Sequence, residues 1–98
     1  MSFFTRPKII DRYKRPGVWN LFIVNNFLPD LNKWEYTLIS PTGEGERVKY
    51  TDIVKNFPLR FPKVNWGRAL PHCHEYGGIY FNADTGAFKA IVPNDFRY

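Results

Sequence analysis

The sequence predicts a small, β-rich α+β domain: an antiparallel sheet or partly open barrel of about five strands, with one short helix and an extended N-terminal arm. Three observations carry that reading. Short stretches alternate apolar and polar residues with the period of two that a half-buried strand needs. Turn-forming sequences, Pro41-Thr42-Gly43-Glu44-Gly45 and Asn82-Ala83-Asp84-Thr85-Gly86, separate them. Nine Phe, six Tyr and three Trp in 98 residues supply the core volume that a thin sheet domain draws from aromatics. The length fits one domain over residues 17–98, preceded by an arm over residues 1–16.

The elements follow in order. Val18 to Asn25 is β-rich and apolar on both faces, which suits a central strand covered on two sides. Residues 26–32 contain Pro29-Asp30 and read as a loop. From Lys33 to Ser40, Trp34, Tyr36 and Leu38 share one face, with Glu35 and Thr37 on the other. The 41–45 turn leads into Arg47-Val48-Lys49-Tyr50, so strands two and three form a hairpin. Thr51 or Asp52 caps one or two helical turns that reach Asn56 and stop at Pro58. Pro58, Pro62 and Pro71 then predict an extended or looped chain, because proline lacks the N–H a helix interior uses. Gly78 to Phe81 and Ala87 to Val92 form a second hairpin.

Charge is distributed unevenly. The net charge is +5, yet residues 1–16 alone hold five cations against Asp11, and residues 53–74 hold four cations and no acid. Both segments interleave aromatics with the cations: Phe3, Phe4 and Tyr13 in the first, Phe57, Phe61 and Trp66 in the second. Cations release counterions from phosphates, and aromatics stack on bases. Arg12, Lys14, Arg15, Lys55, Arg60, Lys63, Trp66 and Arg68 are therefore the candidate contacts to nucleic acid or to another anionic partner. The alternative is a small structural or accessory subunit, viral in one version, that docks on a protein assembly through the same segments.

Residues 34–57, with Ser40-Pro41-Thr42-Gly43 at the turn and Asp52 to Phe57 after it, resemble in shape the strand–turn–strand–helix of methyl-CpG-binding domains and of the related three-stranded modules of some integrases. The resemblance covers about a quarter of the chain and implies a sheet presented to the DNA major groove. This chain departs from the family pattern at Glu44 and Glu46, where the family hairpin is basic.

His72-Cys73-His74-Glu75 is the cluster with ligand chemistry. On a strand, His72 and His74 would share one face about 6–7 Å apart, a spacing that holds a metal if a third ligand such as Asp84 joins them. The same pair could act as acid and base in a small nuclease. No spaced Cys or His completes a zinc pattern, and no phosphate-binding glycine motif or nucleophile elbow is present. Gly77-Gly78 reads as a bend into the final hairpin. The reading is a non-catalytic binding module without a cofactor or a metal. One Cys excludes an internal disulfide, no apolar run approaches the ~18 residues of a membrane span, and the start of the chain lacks a signal-peptide apolar region. Those absences point to the cytoplasm, or to the interior of a virus-infected host cell.

Overall fold

Trp19–Asn25 forms β1, the middle of the sheet in the computed structural model, which describes residues 13–25 and 30–90. Alternation sends Leu21 and Ile23 to one face and Asn20, Phe22 and Val24 to the other, and all five are buried. This is the doubly covered strand that the two-sided apolar pattern predicts. Glu35–Ile39 (β2) pairs antiparallel with β1, placing Leu38 opposite Leu21 and Thr37 opposite Phe22. Gly45–Lys49 (β3) pairs with β2, and Gly78–Phe81 (β4) takes the other side of β1. Phe88–Ala90 (β5) completes the order β3-β2-β1-β4-β5. Both hairpins form. The sheet is open, with β3 and β5 at its edges.

The helical content corrects the sequence expectation. Among the described residues two 11-residue helices form, α1 over Tyr50–Arg60 and α2 over Trp66–Tyr76, where one short helix and an extended chain were expected. Pro58 lies inside α1 and Pro71 inside α2. Each proline removes the donor that would reach the carbonyl four residues earlier, on Val54 and Gly67 respectively. Both prolines and both of those residues are exposed, so water can satisfy the carbonyls. Burial outweighs the lost bonds: Ile53 and Phe57 on α1, and Trp66, Ala69 and Cys73 on α2, all enter the core. Fully burying one such large side chain is worth about 1.5–3 kcal/mol. The first helix is capped at Lys49, not at Thr51 or Asp52 as expected; Asp52 is its third residue, and its carboxylate accepts the Lys49 N–H at 3.2 Å. Gly77, at φ +86°, ends α2 and turns the chain into β4.

Both helices pack on the sheet face that carries Leu21, Ile23, Tyr36, Leu38, Val48, Ile79 and Phe81. On the opposite face Phe22, Val24 and Ile39 are buried, and residues 15–18 bend back against it. The rest of the arm, residues 1–12 including Arg12, lies outside the described residues, as do positions 26–29 and the end of the predicted last strand.

The β4–β5 turn locks against the α1–α2 connector. Gly86 sits at φ +82°, and a Cβ there would collide with the Lys63 carbonyl group. Gly43, at φ +97° in the β2–β3 turn, has open space around the same position. Gly43→Ala should therefore cost only the left-handed backbone penalty, about 1–2 kcal/mol. Gly86→Ala should cost that plus the collision, at least about 2 kcal/mol more. Denaturant unfolding of the two variants checks this, and equal losses would refute the lock.

Candidate nucleic-acid interface

One end of the sheet gathers the start of β1, both hairpin turns, the C-terminus of α1 and the α1–α2 connector. It is organised by Asn20, a fully buried polar residue on β1. Its Oδ1 accepts the Arg15 N–H at 2.9 Å, and its Nδ2 donates to the carbonyls of Arg15 at 2.9 Å and Val18 at 3.0 Å. Residues 15–18 are thereby held as a ledge on the face opposite the helices. Gly17 N–H adds a bond to the Pro41 carbonyl at 3.0 Å, which ties the ledge to the β2–β3 turn.

Three depressions run along this end. The first, about 260 Å³, lies between Lys14, Arg15 and Pro16 on one side and Ile39 to Gly43 on the other. The second, about 140 Å³, is bounded by Gly17 to Trp19, Pro41 and Phe81 to Asp84. The third, about 150 Å³, is bounded by Val18, Tyr80 to Asn82 and Ala87 to Lys89. Pro41 walls both the first and the second, and Val18, Phe81 and Asn82 wall both the second and the third. Together they make one interrupted groove with Lys14 and Arg15 at one end and Lys89 at the other. Asp84 is the carboxylate on its walls. The Arg15 guanidinium lies 4.7 Å above the Tyr80 ring, a cation–π contact that fixes its plane.

The structure places the remaining sequence candidates in different settings. Arg60 forms an ion pair with Glu46 at 2.9 Å and packs 5.2 Å from the rings of both Trp19 and Phe61. Its charge is spent at home, although its contact with Trp19 reaches the second depression. Lys63 is exposed on the connector. Lys55 and Arg68 are exposed on the helix layer and border none of the three depressions. Trp66 is core: it is buried, its Nε1–H donates to the Phe61 carbonyl at 3.3 Å, and it packs edge-on against Phe81. Lys14 and Arg15 flank the sheet face opposite the helices that carry Lys55 and Arg68, so these four cations do not form one surface, whereas Arg60 and Lys63 lie at the same end of the sheet as Lys14 and Arg15. The sequence reading missed Ser40, Thr42, Tyr80 and Lys89, because strand ends distant along the chain bring them together.

The histidines are also corrected. They lie on α2, where a two-residue step turns the side chains about 200° apart. His72 packs edge-on against Tyr76 and Phe88. His74 turns the other way, its Nε2 2.6 Å from the Tyr36 hydroxyl and its ring 4.8 Å from that of Trp34. The shared face required for a two-histidine metal or acid–base site is not formed, and the described residues contain no group of three His, Cys, Asp or Glu side chains able to hold a metal. Burial lowers the His74 pKa and pushes the Tyr36 phenol above its ordinary range.

His74 thus ties stability to pH. The unfolded chain takes up a proton at this position near pH 6.5, which the folded protein resists, so stability falls as the pH drops through that value. His74→Gln keeps a neutral hydrogen-bonding side chain. Its melting temperature should fall less between pH 7.5 and pH 5.5 than that of the parent, and identical falls would refute the assignment. Compared with family models, curated proteins and solved structures, the chain matches none.

Proposed function

We propose that this protein is a non-enzymatic module that binds nucleic acid along the groove at the end of the sheet. The observation that carries the reading is the adjacency of the three depressions, which share wall residues, with Lys14 and Arg15 at one end and Lys89 at the other. A chain of phosphates is a ligand that can follow such a line and be neutralised at both ends. The basic balance of the whole chain, +5 with a pI near 9.5, adds a long-range attraction for the same ligand. Asp84 in the middle section is best accommodated where the ligand turns a sugar or base to the wall and keeps its phosphates outward.

A second reading is a subunit docked in a protein assembly. Leu59 is 82% exposed and Val54 49% exposed on α1, an apolar presentation that suits a protein partner.

A salt titration with random-sequence oligonucleotides tests the first reading. Three groove cations predict a slope of log K against log salt near −2 for single strands, since each phosphate contributes about −0.7. Reversal of Lys14 and Arg15 to Glu should weaken binding at least tenfold and flatten the slope, whereas reversal of Lys55 and Arg68 should change binding less than threefold. No binding at 50 mM salt would overturn the reading in favour of the protein assembly.

A further inference from the structure

The first depression has a chemistry of its own. Its floor and walls are apolar: Ile39, which is buried on the ledge side of β2, and the rings of Pro16 and Pro41. Its rim is polar. Ser40 Oγ and Thr42 Oγ1 lie 2.9 Å apart, and Ser40 Oγ also accepts the Glu44 N–H at 3.1 Å, which fixes the hydroxyl pair in place. Lys14 and Arg15 stand along one side, and none of the described residues that line the cleft is a carboxylate. Gly43 leaves the mouth open, with no atom within 4 Å of where its Cβ would be. At about 260 Å³ the space is smaller than the ~300 Å³ at which whole small-molecule pockets begin. It suits one flat group bearing hydrogen-bonding edges, attached to something negative.

We propose that this cleft receives one unstacked nucleobase, with its neighbouring phosphate against Lys14 and Arg15, and that the protein therefore takes single-stranded nucleic acid. The proposal rests on the nucleic-acid reading above and narrows it. Proline rings offer flat apolar faces to a base, and hydroxyls act as both donors and acceptors, so the rim accepts any base edge. In a duplex the bases are stacked and paired, and delivering one to the cleft requires flipping it out. A single strand presents its bases without that cost.

The test measures fluorescence anisotropy of the full chain at one salt concentration with four ligands: a single-stranded oligonucleotide, its duplex, an abasic strand of the same length, and a mononucleotide as competitor. The single strand should bind at least tenfold tighter than either the duplex or the abasic strand, and the mononucleotide should compete only at millimolar concentration. Equal affinity for strand, duplex and abasic strand would overturn the proposal while leaving the nucleic-acid reading intact. Binding of none of them would overturn both, and mononucleotide binding as tight as the strand's would overturn the assignment to a polymer. Pro41→Asp, which sets a carboxylate in the cleft wall, should remove the tenfold preference. Photocrosslinking of an iodouracil-substituted strand to the unmodified protein gives an answer independent of that variant's folding. Crosslinks within residues 14–16 or 39–43 support the cleft, and crosslinks confined to other segments refute it.

Discussion

A single carboxamide fixes the shape of the candidate site. Asn20 stands near the start of the sheet's central strand with no access to water, and a buried amide left without partners costs about 1–3 kcal/mol. It finds its partners in the backbone of Arg15 and Val18, so the chain entering β1 must fold back along the strand instead of leaving it. That reversal creates the ledge, and the ledge supplies one wall of each of the three depressions. The polar residue thus sets the register of the segment before β1 much as a buried polar group sets the register of paired helices.

The same end of the molecule is stiffened on the helix side by aromatic packing. Trp19, Phe57, Phe61, Trp66 and Phe81 form a chain of ring contacts, mostly edge-to-face, with centroids 4.9 to 6.3 Å apart. Such contacts add about 0.5–1.5 kcal/mol per pair beyond the area they bury. They join the end of α1, the start of α2, β1 and β4, so the depressions open on a rigid base. Arg60 caps the cluster, held by Glu46 on β3. An exposed ion pair of this kind contributes little by itself, and its role is to cover the Trp19 and Phe61 rings.

The sheet was legible because its signals are local. Alternation in β2 and β3, a two-sided apolar β1, and glycine-bearing turns each speak for themselves within ten residues. The second helix was hidden by Pro71 and the last turn of the first by Pro58; the local cost of each proline is real but is outweighed by core contacts that no window of sequence displays. The candidate site was legible only in part. The run Lys14-Arg15-Pro16-Gly17 announced its cations and its turn, whereas Ser40, Thr42 and Lys89 joined it through strand pairing. Trp66 shows the opposite failure: an aromatic among cations reads as a base-stacking platform, yet its neighbours in space are Phe57, Phe61 and Phe81. The histidine pair failed for one reason, the change of period from two to 3.6 between the expected strand and the actual helix.

Cys73, fully buried between α2 and β1, has its thiol pushed well above the ordinary range by burial, with Sγ directed at the Leu21 carbonyl. An alkylating reagent reacts with thiolate and needs access, and the native fold denies it both. Modification of this sulfur then requires α2 to lift from the central strand. The molecule carries its own clock for that opening, readable by mass spectrometry without any engineered label.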